Sequence, residues 1–497
     1  MVTLGENNSH PEAISDIVSA GADMFRLNMS HKDCKWHELT LQSARRTENK
    51  LHERCPLYFP LAIAVDLRGP EIRTGIFRGD SKNMGFAELK EGNTLRLLTN
   101  KKVKLAGTAT CFWVSYPDLP KKCQIGDQIL LDRGAMTLQV TAIGEDFVTC
   151  KISKGGIIRD EKIVHLIDSV VELPQVSEQD DFDIAFALNH KSDFLIVSHV
   201  RSSKMICAVR NRVEQIGSRP ICILSKISSL QGVNCFDEVL KVSDGIVIDG
   251  SGIEVDTGPE KVFLAQKSII AKCNQVGKPV VVVLHVETEC SLQVSTAHVV
   301  NAVLEGADSI LLATGASSAE NTIDLVKKVD KACREAECAR WQRQLFQELS
   351  YKASIPLDLT HSIAIAAVET SMKCNAAAIL VTTTTGRSAM MVSIYRPRCP
   401  IVAITRYSAV SRLLQISFGI HPIHFSHAPL SDWNKDMDTR IQWGMNYLRN
   451  EKFIDTGDVV VIVSGWCQGS GFTNSIRVVY ASPGAIPNRI EDLEVCW

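Results

Sequence analysis

Short runs of β-branched and apolar residues alternate with helix-length segments through the first two thirds of the chain. The runs are MFRL at Met24, LAIAVD at Leu61, FLIVS at Phe194, ICILSK at Ile221, GIVI at Gly245, PVVVVL at Pro279 and SILLA at Ser309. Strands separated by helices are typical of βαβ units and a parallel sheet. With a short strand near Val2 they complete the set of eight that closes into a barrel. We therefore predict a (β/α)8 TIM barrel, with the functional residues just after the strand ends.

One long interruption, from about Pro70 to Leu173, follows a different pattern. It contains segments with alternating polar and apolar residues, including TLRLL, DQILLD and MTLQVTAI, separated by turn signals such as IGED and KGG. A period of two is typical of half-buried β-strands. We predict a small all-β domain inserted after the third barrel strand, where it would act as a lid over the barrel.

A third pattern begins after a long helical stretch from Ala319 to Tyr351. Helical segments such as HSIAIAAVETSMKC alternate with strand-like segments such as AAAILVTT, PIVAIT and DVVVIVSGW. This alternation predicts a separate, doubly wound α/β domain. The predicted division is barrel at 1–69 and 173–342, lid at 70–172 and C-terminal domain at 343–497.

Composition and charge exclude several classes of protein. The chain has 497 residues, of which 45% are hydrophobic and 22% charged, and its formal net charge is −2. We therefore expect no nucleic-acid partner and no membrane surface. The longest apolar run, PVVVVL, is far shorter than the roughly 18 residues of a membrane helix. The start MVTLGENNSH has no basic and apolar signal pattern, and 16 cysteines lack any C-x-x-C spacing. We expect free thiols and a cytoplasmic protein.

Four stretches of the sequence resemble pyruvate kinases, and they occur in that family's order. They are RLNMSH at 26–31, AVDLRGPEIRTG at 64–75, SDGI with PEKVFLAQK within 243–267, and GSGFTN at 469–474. The resemblance implies a phosphotransferase of glycolysis, which passes the phosphoryl group of phosphoenolpyruvate to ADP and leaves pyruvate and ATP. It also implies Mg²⁺ and K⁺ as cofactors and a homotetramer.

The resemblance assigns roles to polar residues at the strand ends. Phosphoryl transfer depends on positioning and on neutralising charge, which calls for Arg, Lys and a divalent cation. Lys226 and Arg26 match catalytic residues of the family. The other matches are substrate or nucleotide contacts at Arg26, His31, Arg73 and Lys162, and K⁺ ligands at Asn28, Ser30, Asp66 and the backbone oxygen of Leu67.

Departures from the family concentrate at the predicted catalytic centre. The two carboxylates that hold Mg²⁺ in the family correspond to Ser228 and Gly252. Mg²⁺ requires hard oxygen ligands, commonly one or two carboxylates, so we expect this metal site to be degraded. Asp249 and Glu254 are close in sequence, but at about 3.3 Å per residue each lies several ångströms from the required place. Further departures are Leu284, the stretch 313–316 and Arg133.

Two anion sites are nevertheless expected to persist. Gly250, Ser251 and Gly252 form a possible nest of backbone N–H groups at a helix start, suited to a carboxylate or phosphate. The turn TTTTGRS at 382–388 presents hydroxyls and amides at another helix start, and it resembles the family's fructose 1,6-bisphosphate loop. The predicted effector site comprises Thr383, Thr384, Thr385, Ser388, Trp433, Arg440 and Gly471.

The sequence leaves two functional hypotheses open. In the first, the chain is a pyruvate kinase that is weak or inactive because its metal site is degraded or improvised. In the second, it is a noncatalytic family member that binds phosphorylated ligands and assembles with itself or with an active relative. A carbon–carbon lyase of the phosphoenolpyruvate barrel type would need its own metal carboxylates at the same strand ends, and we find none there.

Overall fold

A computed structural model describes most of the chain. The described ranges are 1–54, 60–77, 85–100, 103–132, 134–166, 174–217, 219–285, 296–353, 355–467, 469 and 471–482. Arg133, one of the departures from the family pattern noted above, lies outside these ranges.

The strands and helices of the described residues follow the predicted alternation. The strands are β1 Val2–Thr3, β2 Met24–Asn28, β3 Ala62–Asp66, β4 Phe86–Leu89, β5 Thr94–Leu98, β6 Cys111–Trp113, β7 Gln128–Leu131, β8 Met136–Ile143, β9 Phe147–Lys154, β10 Gly156–Arg159, β11 Val164–Leu166, β12 Phe194–Val197, β13 Cys222–Ile227, β14 Gly245–Ile248, β15 Val280–His285, β16 Ser309–Ala313, β17 Ala378–Thr382, β18 Ile401–Thr405, β19 Ile420–His424, β20 Val459–Gly465 and β21 Thr473–Tyr480. The helices are α1 Pro11–Ser19, α2 Cys34–Arg54, α3 Leu119–Lys122, α4 Glu178–Asn189, α5 Ser203–Ile216, α6 Leu230–Asn234, α7 Phe236–Val242, α8 Gly250–Thr257, α9 Pro259–Val276, α10 Thr296–Glu305, α11 Ala319–Ala339, α12 Gln342–Lys352, α13 Leu359–Lys373, α14 Arg387–Ile394, α15 Ser408–Leu414 and α16 Trp433–Asn450.

Eight parallel strands close into a barrel, in the order β1-β16-β15-β14-β13-β12-β3-β2. Each strand predicted from an apolar run is present, so the predicted TIM barrel is confirmed. The strands are buried on both faces because helices cover the outside and side chains fill the inside. Parallel strands place all their carboxyl ends on one side, which is where the candidate site lies.

The all-β insertion follows β3, as predicted. A six-stranded sheet has the order β11-β7-β8-β9-β5-β6, and β4 pairs with β10 in a second sheet. Alternate side chains of these strands are buried, as at Met136, Leu138 and Val140 of β8. This period of two explains why the sequence pattern identified the insertion.

A capping box fixes the turn between the barrel and the lid. The Ser177 hydroxyl accepts the N–H of Asp180 at 3.1 Å, and the Asp180 carboxylate accepts the Ser177 N–H at 2.9 Å. The same carboxylate accepts the Gly69 N–H at 3.0 Å. Gly69 has φ +71°, and a Cβ there would lie 3.0 Å from the Ser198 carbonyl oxygen. The absence of a side chain therefore lets the segments that follow β3 and β12 approach each other.

The C-terminal sheet has the order β19-β18-β17-β20-β21, and only its last strand is antiparallel. Helices on both faces make it the predicted doubly wound α/β domain. Strand β19 was not among the predicted elements, because its sequence IHPIH mixes polar residues and a proline. The predicted helical stretch consists of two helices, α11 and α12, since the chain is extended at Arg340.

Buried ion pairs connect the C-terminal domain to the barrel. Asp193, just before β12, accepts from Arg412 of α15 at 2.8 Å, and it also caps the Ile63 N–H at 3.0 Å. Arg396 pairs with Asp308 at 2.7 Å. These contacts are shielded from solvent, so they hold the two units in a defined arrangement.

Among the described helices, none has a stretch long and apolar enough to cross a bilayer.

Candidate functional site

A polar cavity of about 420 Å³ lies at the carboxyl ends of the barrel strands, under the lid. We call it the barrel mouth. It is lined by Arg26, Asn28, Ser30, His31, Glu71, Arg73, Asp132, Asp160, Glu161, Lys162, Ile163, His165, Ser198, His199, Lys226, Ser228, Asp249, Ser251, Gly252, Val283, His285 and Leu311. Both the barrel and the lid contribute residues, so the cavity lies between the strand ends and the lid.

The two predicted catalytic cations share one buried carboxylate. Arg26 donates from Nε to Asp66 Oδ2 at 2.8 Å, and Lys226 donates from Nζ to the same oxygen at 2.7 Å. The Ser198 hydroxyl donates to Asp66 Oδ1 at 2.7 Å. Burial alone would raise the pKa of Asp66, but the charges of Lys226 and Arg26 outweigh burial and lower it. Asp66 is therefore ionised and orients both cations toward the cavity.

The oxygen donors predicted for K⁺ are partly at the cavity surface. Asn28 and Ser30 line it, and the Asn28 side-chain oxygen accepts the Ser30 N–H at 3.2 Å. Asp66 lies behind the two cations that it binds, and Leu67 is also outside the lining. The donor chemistry fits a monovalent cation, although the charge of Asp66 is already balanced by Arg26 and Lys226.

A chain of three side chains runs across the mouth. The Ser228 hydroxyl lies 3.0 Å from His199 Nδ1, and His199 Nε2 is hydrogen-bonded to the Glu71 carboxylate. Arg73 contacts the other oxygen of Glu71. Burial alone would raise the pKa of Glu71, but the hydrogen bond and charge of His199, with the charge of Arg73, lower it to about 2. The Glu71 carboxylate is therefore charged over the whole neutral range.

A second histidine–carboxylate pair stands on the neighbouring strands. His285 Nε2, at the end of β15, lies 2.9 Å from Asp249 Oδ1, and the Ser251 hydroxyl donates to the same oxygen at 2.8 Å. Burial would raise the pKa of Asp249, but the bond to His285 and the charges nearby lower it. Asp249 thus reaches the cavity, as its sequence position allowed, but it is engaged by His285 and Ser251.

The predicted Mg²⁺ positions offer no carboxylate. Ser228 and Gly252 are adjacent in space, and a Cβ built on Gly252 would lie only 2.5 Å from the Ser228 carbonyl oxygen. Among the residues that the structure describes, no group of three His, Cys, Asp or Glu side chains is arranged to hold a metal. Glu254, on α8, does not line the cavity. The residues present therefore do not fit Mg²⁺ held by protein carboxylates.

The lid supplies further charges to the mouth. Lys162 pairs with Asp132 at 3.0 Å, and Arg73 donates to the Glu161 carbonyl at 2.9 Å. The predicted nucleotide contacts His31, Arg73 and Lys162 all line the cavity. Of the predicted nest at the start of α8, Ser251 and Gly252 line it, whereas Gly250 does not.

Sequence reasoning missed the roles of Glu71, His199 and His285. Glu71 lies within the stretch that carried the family resemblance, and the two histidines stand at or just after strand ends, in FLIVSH and VVVVLH. A polar residue directly after a buried barrel strand was the available signal. His199 also has φ +55°, a conformation that non-glycine residues adopt uncommonly and that is frequent at functional sites.

A second polar pocket, of about 280 Å³, lies in the C-terminal domain. We call it the C-terminal pocket. The structure brings together in it all the residues predicted for the effector site, namely Thr383, Thr384, Thr385, Ser388, Trp433, Arg440 and Gly471. The turn after β17 supplies the hydroxyls, and α14 begins directly behind it. Gly386, with φ +85°, lets the chain reverse there while its N–H donates to the Thr383 hydroxyl at 3.0 Å.

Arg440 provides a buried positive charge in the C-terminal pocket, which Arg387 also lines. It pairs with Asp436 at 2.5 Å and lies over the Trp433 ring, 5.6 Å from its centroid. Its Nε is buried and has no hydrogen-bond partner among the described residues. A buried donor without a partner is costly, so an anion that reached this group would relieve the cost.

Comparison with known proteins assigns both ends of the chain to one family. The family model described as "Pyruvate kinase, barrel domain" matches residues 1–324, and "Pyruvate kinase, alpha/beta domain" matches residues 361–479. Among curated relatives, human "Pyruvate kinase PKLR" is 37% identical over 97% of this chain and 84% of its own length. "Pyruvate kinase" of Candida albicans is 30% identical over 96% of this chain and 94% of its own length. "Pyruvate kinase 2" of Trypanosoma brucei brucei is 31% identical with the same coverage of both chains.

Proposed function

The chain belongs to the pyruvate kinase family, and from that premise we propose that its transfer of a phosphoryl group from phosphoenolpyruvate to ADP is weak or absent. The observation that carries the proposal is the pair Ser228 and Gly252, which stands where the resemblance predicts two metal carboxylates. Ser228 is turned toward His199, and Gly252 has no room for a side chain. Without those oxygens, the chain cannot hold the divalent cation as the family does.

The remaining cations support binding of the substrates. Arg26 and Lys226 point into the mouth from one side, and Arg73 and Lys162 line it near the lid. Each is paired with a carboxylate, so phosphoenolpyruvate and ADP would bind by exchanging some of those pairs. We propose that binding persists more completely than turnover, and that K⁺, where bound, is held by Asn28 and Ser30.

A coupled assay of the purified chain with phosphoenolpyruvate, ADP, Mg²⁺ and K⁺ tests the proposal. Loss of several kcal/mol of charge stabilisation predicts a rate lower by orders of magnitude, because each 1.36 kcal/mol is tenfold. A rate of roughly 1 to 100 per second, typical of kinases, would refute it. Any residual rate must fall in Lys226→Met, since a rate that does not respond to this change comes from a contaminant.

A second function, as a noncatalytic regulator that binds a phosphorylated effector, is favoured by the C-terminal pocket. Its hydroxyls, its helix start and Arg440 are suited to a phosphate group. Fructose 1,6-bisphosphate or a similar sugar bisphosphate is the proposed ligand. Isothermal calorimetry on the folded protein measures it directly, and no binding at millimolar ligand would leave only a structural role for this domain.

We also propose that the protein is cytoplasmic and assembles as a homotetramer or as a hetero-oligomer with an active relative. Family membership is the support for this assembly. Light scattering on the purified chain, alone and mixed with an active pyruvate kinase, distinguishes the two forms of assembly. A monomer under both conditions would contradict both of them.

A further inference from the structure

The side chains that replace the metal site in the barrel mouth have a chemistry of their own. Ser228 is buried yet lines the cavity, and its hydroxyl lies 3.0 Å from His199 Nδ1. His199 Nε2 is in turn hydrogen-bonded to the Glu71 carboxylate, which Arg73 holds from the other side. A nucleophile, a base and a carboxylate that orients the base make up the arrangement that activates serine in hydrolases.

The protonation of this chain follows from Glu71. Arg73 contacts one oxygen of its carboxylate and His199 Nε2 contacts the other, so the ionised carboxylate can only accept hydrogen bonds. His199 Nε2 must therefore carry the proton of that bond. In the neutral imidazole, Nδ1 is then an acceptor, and the Ser228 hydroxyl donates to it. This is the tautomer in which histidine acts as a general base toward serine.

The backbone keeps the histidine in this position. His199 has φ +55°, in the left-handed region, and the next residue, Val200, donates its N–H to the Lys226 carbonyl at 3.2 Å. Strand β13 continues from Lys226 to the residue before Ser228. Strain of this kind persists only where the surroundings fix it, and here it places the ring between the serine and the glutamate.

We propose that Ser228, with His199 as its base and Glu71 as the positioning residue, is a nucleophile that accepts a phosphoryl group from a small phosphomonoester without a metal ion. The class of substrate rests on Lys226 and Arg73, which line the same cavity as Ser228 and can pair with a phosphate in exchange for their present carboxylate partners. The proposal rests on the mouth binding a phosphorylated acid, as proposed above, but it needs neither ADP nor Mg²⁺.

The reaction balances in two steps. In the first, Ser228 Oγ attacks phosphorus, its proton passes to His199 Nδ1, and the bond from phosphorus to the leaving oxygen breaks. An enolate leaving group then takes a proton from water. In the second, water attacks the phosphoserine and loses its proton to solvent, while the Ser228 oxygen leaves and recovers the proton from His199. The sum is hydrolysis of the phosphomonoester to inorganic phosphate.

Labelling with diisopropyl fluorophosphate tests the nucleophile independently of any substrate. This phosphorus electrophile bonds to activated serines and releases fluoride. In the full-length protein with EDTA, we expect one adduct, mapped to Ser228 by peptide mass spectrometry. Labelling should be absent in Ser228→Ala and at least tenfold slower in His199→Phe, which keeps an aromatic ring but no base. Ser203→Ala is the matched control, because the hydroxyl of that serine is exposed and donates to the Glu238 carboxylate at 3.4 Å, away from any histidine base, and this variant should label as wild type does.

The role of Glu71 has a spectroscopic test. In protein labelled with ¹⁵N-histidine, the His199 nitrogens should show the Nε2–H tautomer. In Glu71→Gln, the side-chain amide can donate as well as accept, so His199 should populate both neutral tautomers. The spectrum should then show a mixture of the two, and the labelling rate should fall. An unchanged tautomer and rate would remove Glu71 from the proposal.

The outcomes separate this inference from the proposed function. Two results would refute the role of Ser228 as a nucleophile. In the first, folded wild-type protein forms no adduct. In the second, the His199→Phe variant is labelled as fast as the wild-type protein. If the reagent labels Ser228 but incubation with phosphoenolpyruvate in EDTA gives neither phosphoserine nor free phosphate, Ser228 is a nucleophile whose substrate is not a small phosphomonoester such as phosphoenolpyruvate. Formation of ATP from ADP with Mg²⁺ reports only on the kinase reaction, so an ordinary kinase rate would refute the proposed function and leave the labelling result to stand alone.

Discussion

The barrel mouth and the C-terminal pocket are both polar cavities at the carboxyl ends of parallel strands, but they are built differently. The mouth depends on charged side chains from distant segments, paired across it as in Glu71 with His199 and Asp249 with His285. The C-terminal pocket has at its centre one turn after β17, which supplies a run of hydroxyls from neighbouring residues, and Trp433, Arg440 and the segment near Gly471 complete it. The first is a set of long-range pairs, and the second is centred on a local loop that two arginines, Arg387 and Arg440, flank.

From the sequence we predict that the mouth departs from the family pattern more than the C-terminal pocket does, and this difference in construction supplies a physical reason. A site built from long-range side chains loses a ligand with one substitution. A turn that presents backbone N–H groups at a helix start keeps them whichever side chains it carries. We therefore expect substitutions in the mouth to have larger effects on stability and chemistry than comparable substitutions around the C-terminal pocket.

The largest expected effect is on the shared carboxylate of the mouth. Asp66→Ala leaves Arg26 and Lys226 buried without their partner, which should cost about 3–5 kcal/mol of unfolding free energy. Arg387→Ala at the C-terminal pocket breaks a half-exposed pair with Asp358 and should cost less than about 1 kcal/mol. Urea unfolding of both variants measures the contrast. Equal losses of unfolding free energy would show that the burial of an ion pair does not determine its contribution to stability in these two cavities.

The next effect is dependent on pH and specific to Glu71. The folded state lowers the pKa of this carboxyl from 4.5 to about 2, so the ionised form stabilises the protein above pH 4.5. That contribution is lost as the pH falls from 4.5 toward 2. Glu71→Gln should therefore be less stable than wild type just above pH 4.5, where the carboxylate is charged, and the difference should shrink as the pH falls through that window. A difference that stays constant down to pH 2 would contradict the pairing.

A smaller effect should come from ligand binding in the C-terminal pocket. Fructose 1,6-bisphosphate at about 100-fold over Kd should add about 2.7 kcal/mol of stability and raise Tm. Arg440→Ala should abolish this rise, because it removes the charge that faces a phosphate. Thr384→Lys should strengthen binding, because it adds a cation to the turn. A rise that survives in Arg440→Ala would place the ligand elsewhere.

The smallest effect concerns packing in the mouth. A Cβ at Gly252 meets the Ser228 carbonyl oxygen at 2.5 Å, whereas a Cβ at Gly315 meets only a Thr3 methyl group at 3.6 Å. Gly252→Ala should cost about 1–3 kcal/mol through overpacking, and Gly315→Ala should be nearly neutral. Thermal unfolding of the two variants provides a matched comparison. Gly252→Ala at wild-type stability would mean that α8 moves freely, and that a carboxylate could be restored there.

The fold could be predicted well from the sequence because its strands and helices have clear local patterns of apolar and polar residues. Continuous apolar runs identified the buried barrel strands, and alternation identified the lid. The exceptions have local causes. Strand β19 reads IHPIH, whose polar residues and proline hide it, and the extended residue Arg340 divides a stretch that is helical on both sides.

The chemistry of the mouth was only partly predictable. A lysine or an arginine at a strand end can be read from one sequence, and the structure places Arg26 and Lys226 in one cavity. Their shared partner Asp66 is 160 positions from Lys226, and Glu71 is 128 positions from His199. Such pairs depend on which strand ends meet, and a single sequence contains no local signal for that.

The close approach of Gly252 to Ser228 makes these two positions interdependent. A Cβ at position 252 would lie 2.5 Å from the Ser228 carbonyl oxygen, and a glutamate at position 228 would displace the hydrogen bond to His199. A single substitution to a carboxylate at either position is therefore unfavourable, so we expect that introducing a metal site here requires both positions and the start of α8 to change together.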